Sequence, residues 1–309
     1  MRYLVTGASG LIGWQLVDRL AKDGHQVNAW LRQPADLWQH KGVTSEAIDL
    51  GNRKMVAACF AAAAPERVVH LAAQSLPGKS WSDPIDTMHA NIDGTLNLLE
   101  AMKGAPDKPR LLFAGTSAQY ASSKDGSPIR EDAPLDPSSP YAVSKIAAED
   151  CCRLYARAFG LDVICFRPFL WIGPRKTGDV ASDVARRIVA IERGAPPVMG
   201  IGRTDVVRDF LDIKDGIDAL LLLSEKGVSG EAYNICNGQG LSIGDLIAAF
   251  RAESKVPFTL EPDPRFMRPI DEMVRIGDAS KMHALGWKPE LTFQLSLRNI
   301  LDYWRVHVR

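Results

Sequence analysis

Hydrophobic and polar residues alternate between two distinct patterns in the first half of the chain. Short apolar runs are each followed by a longer segment in which apolar residues recur every three or four positions, a pattern typical of strands alternating with amphipathic helices. The predicted strands are Tyr3–Thr6, Gln26–Leu31, Thr44–Ile48, Arg67–Leu71, Arg110–Gly115 and Asp162–Arg167, and the predicted helices are Leu11–Lys22, Arg53–Ala63, Pro84–Lys103 and Tyr141–Phe159. This order predicts an α/β fold with a doubly wound parallel sheet and a ligand crevice at the carboxyl ends of its strands.

The rhythm changes after Arg167. One strand, Tyr233–Cys236, and four helices, Val180–Arg193, Lys214–Ser224, Ile243–Ala252 and Leu295–Val306, are predicted among irregular segments rich in Gly, Pro and Arg. We therefore expect a first domain over residues 1–168, with return segments near 205–237, and a smaller α/β domain mainly over 169–309. No low-complexity linker separates the halves, so we expect them to pack tightly together.

Composition narrows the classes of function. The 309 residues include 37 Lys+Arg and 37 Asp+Glu, so no net charge favours nucleic acid or an anionic membrane surface as a partner. No apolar run approaches the roughly 18 residues of a membrane span. The chain enters its first strand at once, which leaves no room for a signal peptide.

The cysteines are odd in number and irregularly spaced, at Cys59, Cys151, Cys152, Cys165 and Cys236. This pattern fits neither a disulfide framework nor a zinc site. The six histidines show no pairing four residues apart. We expect reduced thiols, a cytoplasmic protein and no metal site.

Glycines at positions 7, 10 and 13 punctuate the turn between the first strand and the first helix. Gly7 permits a tight turn, Gly10 lets backbone approach a pyrophosphate, and Gly13 lets the helix pack close to the sheet. Leu11 and Ile12 complete the turn as cofactor-contacting positions. The pattern predicts a Rossmann-like domain that binds a dinucleotide, with the substrate held mainly by the second domain, although the spacing differs from the usual GxGxxG.

The end of the second strand indicates the type of nicotinamide cofactor. An acidic residue there would bind a ribose 2′-hydroxyl, whereas an arginine accommodates a 2′-phosphate. The strand ends in Trp30-Leu31 and Arg32 follows, with no Asp or Glu. This favours NADP(H), with NAD(H) possible, and a solvated surface arginine is the alternative.

Tyr141 and Lys145 stand one helical turn apart and project from one face. A free tyrosine has a pKa of about 10, and a neighbouring ammonium favours the phenolate, so we expect Lys145 to bring the Tyr141 hydroxyl towards acid/base range. Lys145 can also bind the nicotinamide ribose. Thr116, at the end of the fifth predicted strand, supplies a hydroxyl for the same site.

Together these residues resemble the extended short-chain dehydrogenases/reductases of the nucleotide-sugar epimerase/dehydratase group. The resemblance runs over nearly the whole chain. Beyond the glycine turn, the matching residues are Asp49-Leu50, Leu71-Ala72-Ala73, Asn91, Gly94-Thr95, Thr116 with Tyr120, residues 140–145, Arg167-Pro168, residues 207–210, residues 233–235, Arg268-Pro269 and residues 285–289.

The resemblance implies roles for several of these residues. Asp49 would meet the adenine, and Leu50, Leu71, Ala72 and Ala73 would line the cofactor. Tyr141 would be the acid/base, with Lys145 beside it, and Thr116 would hold the reacting oxygen. Arg208 and Arg268 would clamp the substrate pyrophosphate, a role that their charge and bidentate geometry also suit.

Within the group, the second half is most similar to GDP-mannose dehydratases and GDP-4-keto-6-deoxymannose reductases. Asp271 falls where those enzymes carry an acid near the guanine pocket. The sequence departs from the pattern in two places. Leu170 and Trp171 replace an Asn that often contacts the substrate, and Ala118 replaces the acid that dehydratases carry two residues before Tyr120.

Three functions remain open from the sequence. The first is NADPH-dependent reduction of a nucleotide-diphospho-4-keto-6-deoxy-hexose at C4. The second is an NAD-dependent nucleotide-sugar 4-epimerase. The third is a non-catalytic NADP-binding sensor, and dehydratase activity is a further alternative. The resemblance also implies a homodimer formed through the Tyr141 helix and the helix Pro84–Lys103.

Overall fold

The computed structural model describes residues 1–35, 37–123, 125–266 and 272–308. Its strands are β1 (Arg2–Thr6), β2 (Gln26–Leu31), β3 (Val43–Ala47), β4 (Arg67–His70), β5 (Arg110–Ala114), β6 (Val163–Pro168), β7 (Leu170–Ile172), β8 (Val198–Ile201), β9 (Val207–Asp212), β10 (Ala232–Ile235), β11 (Gly240–Ser242), β12 (Thr259–Pro262) and β13 (Val274–Arg275). Its helices are α1 (Leu11–Lys22), α2 (Arg53–Ala63), α3 (Pro77–Ser82), α4 (Pro84–Met88), α5 (Gly94–Lys103), α6 (Pro140–Phe159), α7 (Val180–Glu192), α8 (Ile213–Lys226), α9 (Ile243–Glu253), α10 (Ser280–Ala284) and α11 (Phe293–His307).

The main sheet has seven parallel strands in the order β10-β6-β5-β4-β1-β2-β3. Leu4 and Val5, neighbours on β1, enter two different cores because side chains alternate across a strand. The Val5 core is closed by α1 and α8, and the Leu4 core by α2, α5 and α6. Helices therefore cover both faces, and the predicted fold class is confirmed.

In the first half, the six predicted strands match the observed ones within one residue at each end. The predicted helix Pro84–Lys103 is not continuous, because a π-helical turn at His89–Asp93 separates α4 from α5. Helix α3 lies in a segment for which no element was predicted. The π-helical turn carries Asn91, whose side chain bonds to Gln74 and Ser144, and such turns are frequent at functional sites.

The second half contains more strand than predicted. Strand β9 pairs with β7, β11 and β13, and β8 pairs with β12. We expected these segments to be irregular, and that expectation was wrong. Their strands form by pairing with segments distant in the sequence, and they are too short to show a periodic pattern. Helices α7, α9 and α11 pack around a core that includes Phe210, Ile247 and Ile300. Strand β10 returns to the main sheet beside β6.

Candidate active site

The turn between β1 and α1 brings glycines against neighbouring backbone. Gly7 has a φ of +66°, and a Cβ there would lie 2.6 Å from the backbone nitrogen of Ala72. A Cβ on Gly13 would lie 2.4 Å from the carbonyl oxygen of Gly7. Gly10 precedes α1 and offers no side chain to the first N–H groups of that helix, which leaves them available to an anion. These features fit the pyrophosphate of a dinucleotide.

The other predicted cofactor-binding residues follow neighbouring strands at the same edge of the sheet. Arg32 follows β2, Asp49-Leu50 follow β3, and residues 71–73 follow β4. Arg32 is exposed and forms no ion pair with any residue that the structure describes. Asp49 is also exposed, and its carboxylate accepts a hydrogen bond of 2.9 Å from the backbone of Gly51. A cation and a carboxylate thus flank the glycine turn on its β2–β3 side.

Helix α6 begins at Pro140, one residue before its predicted start. The Ser139 hydroxyl caps the helix by accepting a hydrogen bond of 3.2 Å from the backbone of Ala142, and Pro140 occupies the first turn. This start places Tyr141 next to Thr116, whose hydroxyl hydrogen-bonds to the phenol. The Lys145 ammonium lies 4.3 Å from the ring centroid of Phe113 on β5. All three predicted catalytic side chains are buried.

Burial is the largest influence on the pKa values of Tyr141 and Lys145. It raises the pKa of Tyr141, and the hydrogen bond with Thr116 only partly opposes that rise. We expected the Lys145 ammonium to lower the pKa of Tyr141, and that expectation was wrong, because burial dominates and the opposing effect comes from Thr116. Burial also lowers the pKa of Lys145 to about 8. The phenol is therefore protonated at neutral pH and is suited to donating a proton rather than accepting one.

The pKa of Lys145 predicts a pH-dependent stability. In the unfolded chain this lysine keeps its ordinary pKa of 10.5, so between pH 8 and 10.5 the unfolded state binds a proton that the folded state does not. The free energy of unfolding therefore rises with pH over that window, by about 3 kcal/mol relative to a Lys145→Met variant. Urea unfolding of both proteins without added cofactor measures this difference, because their other titrating groups are shared. A difference that stays constant from pH 8 to 10.5 would contradict it.

The π-helical turn supplies Asn91, a residue of the family pattern for which the sequence indicated no role. The Asn91 side chain donates a hydrogen bond of 2.8 Å to the hydroxyl of Ser144 and accepts one of 2.7 Å from the backbone of Gln74. Asn91 thereby ties the segment after β4 to the helix that carries Tyr141. The sequence signal was a polar residue inside a helical pattern, and only the packing shows what it contacts.

A buried histidine links the glycine turn to α5. His70 contacts the Thr6 hydroxyl at 2.7 Å and the Thr95 hydroxyl at 3.0 Å through its two ring nitrogens. Burial, with a smaller effect from Lys145, lowers the pKa of His70 to about 3. The imidazole is therefore neutral and fixes the ends of β1 and β4 in place.

A cleft of about 450 Å³ opens beside Thr116 towards the second half of the chain. Its charged and polar lining includes Asp179, Asp183, Arg187, Arg203, Arg208 and Arg275. Arg208, on β9, donates hydrogen bonds of 2.8 Å to the backbone oxygens of Val207 and Glu272. Arg268 and Asp271, the other two predicted substrate-binding residues, lie outside the described residues. The cleft thus joins the Thr116 end to a wall that carries both arginines and carboxylates.

Helix α7 contributes a carboxylate, Asp183, and a guanidinium, Arg187, to the lining of the cleft. Neither residue was singled out from the sequence. The Asp183 carboxylate is half-buried and forms no hydrogen bond or ion pair with the described residues. Burial raises its pKa, and Arg187, one turn away, opposes that rise. Arg187 is held by a hydrogen bond of 2.6 Å to the carbonyl of Gly200 and packs 4.1 Å from the ring of Phe266.

Two of the three positions that depart from the family pattern lie at the cleft. Ala118 and Leu170 line it, so neither brings an ionisable group to the reacting end. Trp171 instead points into the core, where its indole donates a hydrogen bond of 3.0 Å to the carbonyl of Ile235. In the described part of the chain, no group of three or more metal-ligating side chains was found, and no helix there is long and apolar enough to cross a membrane.

Comparison with known proteins places this geometry in a family. Residues 3–236 match the NAD dependent epimerase/dehydratase family. The chain is 35% identical to a GDP-6-deoxy-D-mannose reductase of Pseudomonas aeruginosa, over 100% of the chain and 98% of the relative. It is 27% identical to a UDP-glucose 4-epimerase of Mycolicibacterium smegmatis, over 99% of both.

Solved structures give the same result. RMD from Pseudomonas aeruginosa complexed with NADPH superposes with a TM-score of 0.87 at 32% identity. The UDP-glucose 4-epimerase of Thermus thermophilus in complex with NAD superposes with a TM-score of 0.90 at 30% identity. Both matches cover 100% of each chain.

The chain therefore belongs to the NAD-dependent epimerase/dehydratase family. It is an enzyme of the extended short-chain dehydrogenase/reductase type, with a Rossmann fold that binds a nicotinamide cofactor. The family predicted from the motifs is confirmed.

Proposed function

We propose that this protein is an NADPH-dependent cytoplasmic reductase that converts a nucleotide-diphospho-4-keto-6-deoxy-hexose, similar to GDP-4-keto-6-deoxymannose, to the C4 alcohol. The observation that carries the proposal is a buried, protonated Tyr141 beside Thr116 at the reactive end of a cleft lined by arginines. The full-length similarity to a GDP-6-deoxy-D-mannose reductase supports the same activity.

Ketone reduction needs a hydride at C4 and a proton on the oxygen. Bound NADPH supplies the hydride. Tyr141 would donate the proton, and Thr116, which hydrogen-bonds to the phenol, would hydrogen-bond to the same substrate oxygen. A charged Lys145, one turn from Tyr141, stabilises the phenolate left after the proton has moved.

The cleft wall suits a guanosine diphosphate group. Arg208 faces the cleft and, with Arg268, would bind the diphosphate through charge-assisted hydrogen bonds. A carboxylate can accept from the two adjacent N–H donors of guanine, and an arginine can donate to its O6 and N7 acceptors. Asp183 and Arg187 offer this pair on one face of α7, and Asp271 would add a further acid.

The cofactor would be held along the edge of the sheet already described. Gly7, Gly10 and Gly13, with Leu11 and Ile12, would hold the pyrophosphate, and Asp49 and Leu50 would meet the adenine. Arg32 would bind the 2′-phosphate of NADP because no carboxylate competes for it among the described residues. Leu71, Ala72 and Ala73 follow β4, beside the glycine turn.

Replacing Arg32 by Asp should reverse the cofactor preference. The unmodified protein is expected to bind NADPH more tightly than NADH, and Arg32→Asp should weaken NADPH by about tenfold or more while sparing NADH, because a charge-assisted contact becomes a repulsion. Arg32→Lys retains the charge and is the control, with its preference for NADPH preserved. Fluorescence titration measures all affinities, and equal affinity of the unmodified protein for both cofactors would contradict the role of Arg32.

The alternative is a 4-epimerase that uses NAD. The similarity to UDP-glucose 4-epimerases and the close superposition on one complexed with NAD favour it. The two functions differ in cofactor turnover, since a reductase consumes one NADPH per sugar and an epimerase returns the hydride to its substrate. Dehydration is disfavoured because Ala118 cannot act as an acid or a base, and a sensor would not need a proton-donating tyrosine.

We also propose a homodimer formed through α6 and the α4–α5 segment. Large apolar side chains are exposed there in the single chain, namely Ile85 on α4 and Val143, Leu154 and Phe159 on α6. Contiguous exposed apolar residues are typical of protein interfaces.

A further inference from the structure

Arg275 lies beneath the turn that carries Thr116. The side chain is only 9% exposed, and its guanidinium donates hydrogen bonds to the backbone oxygens of Ser117 and, at 3.3 Å, Tyr120. Those oxygens lie at the start and just past the end of the 3-10 turn Ser117–Gln119, for which Thr116 is the N-cap. One planar group therefore spans the whole turn.

Glu272 fixes the plane of that guanidinium. Its carboxylate accepts from Arg275 Nε at 2.5 Å and from Nη2 at 2.6 Å, a bidentate pair. The backbone oxygen of Glu272 accepts a hydrogen bond of 2.8 Å from Arg208. Arg275 is also paired with Arg208 in register between β13 and β9. The residue that orients Arg275 is thus in contact with the predicted diphosphate clamp.

A second set of hydrogen bonds holds the turn that follows Thr116. The Gln119 side chain accepts a hydrogen bond of 2.7 Å from the backbone of Thr116 and donates one of 2.9 Å to Glu149. Glu149 in turn forms a buried ion pair of 2.6 Å with Arg167. This support belongs to the main sheet and α6, whereas Arg275 belongs to the second half of the chain. Arg275 therefore links the Thr116 turn to the substrate-facing strands.

We propose that Arg275 is a positioning residue, which holds the Thr116 turn in register with the Arg208 strand so that the clamp and the reacting hydroxyl keep a fixed separation. The role of Thr116 in this statement rests on the proposed function. Lysine cannot replace Arg275, because a single ammonium cannot bridge two carbonyls while pairing bidentately with a carboxylate. A small displacement of a positioned group can cost about 100-fold in rate, so the effect should appear in kcat.

The test compares Arg275→Met and Arg275→Lys with Arg298→Met, which removes an exposed arginine paired with Glu253. Hydrogen exchange of residues 115–121 is the first measurement, and it requires no substrate. Both Arg275 variants should exchange about tenfold faster there than the parent and the control, while β1 and α1 exchange at the parent rate. Unchanged exchange at 115–121, or faster exchange throughout the chain, overturns the proposal.

Steady-state kinetics with NADPH and the GDP-4-keto-6-deoxy sugar is the second measurement. Arg275→Met should lower kcat tenfold or more with KM changed less than threefold, and it should add little further loss to a Thr116→Val variant. A KM effect without a kcat effect would make Arg275 a substrate contact and overturn the positioning role. If the parent protein reduces no 4-keto sugar, the proposed function fails, and the exchange result alone decides whether Arg275 holds the turn.

Discussion

Tyr141→Phe should lower turnover by a factor of at least about 100 while leaving cofactor affinity nearly unchanged. The substitution removes only the phenolic hydroxyl, which is the proposed proton donor and lies beside Thr116. The ring stays in its buried position, so the fold and the cofactor crevice should be retained. Steady-state rates and NADPH titration on the same preparations measure both effects.

Tyr155→Phe is the matched control, since it removes a phenol from the same helix at a position where the hydroxyl donates a hydrogen bond to Glu100, away from Thr116. It should retain the parent rate. A fully active Tyr141→Phe variant would overturn the assignment of the proton donor. A loss of cofactor binding equal to the loss of rate would instead make Tyr141 a structural residue.

Arg208→Ala should raise KM for a GDP-sugar by about 10- to 100-fold, the range expected for losing a charge-assisted contact to phosphate. Arg208 lines the cleft on β9, close to Thr116 and Arg275. The effect on kcat should be smaller, because the diphosphate is remote from the reacting carbon. Calorimetry with GDP should show a parallel loss of affinity.

Arg265→Ala removes an exposed arginine that pairs with Asp263, outside the set of residues that line the cleft, and it should leave GDP binding unchanged. Equal GDP affinity in Arg208→Ala and the parent protein would rule out the clamp. The arginines that line the cleft would then need another role.

The first half of the fold could be predicted because its signals are local. Each strand of the main sheet is a short apolar run, and the glycines at 7, 10 and 13 mark a turn whose geometry excludes a Cβ at two of the three positions. Helix α6, with Ser139 as its N-cap, begins at Pro140, one residue from the start predicted by its periodicity. Signals of this kind depend little on the rest of the chain.

The second half could not be predicted to the same extent. Strand β13 has two residues and exists because it pairs with β9, far away in the sequence. Strands β8 and β12 likewise depend on each other. Such elements carry no periodicity of their own, so the substrate-facing side of the cleft emerged only from the tertiary structure.

The residues of the active site show the same difference between local sequence signals and contacts that form only in the tertiary structure. Motif spacing located Thr116, Tyr141 and Lys145, which the structure brings together. It gave no role to Asn91, Asp183 or Arg275, because their contacts come from segments 17 to 158 residues away or from the shape of the cleft. It also misjudged the pKa of Tyr141, since burial depends on packing that spacing does not report.

The reductase proposal is tested most directly by following NADPH absorbance with the purified protein and a 4-keto-6-deoxy sugar nucleotide made by a dehydratase. The proposal predicts consumption of one NADPH for each sugar reduced at C4, with NADPH preferred over NADH and the GDP-sugar preferred over its UDP counterpart. The contrary result is no net consumption of NADPH, together with interconversion of UDP-glucose and its C4 epimer by protein that carries bound NAD.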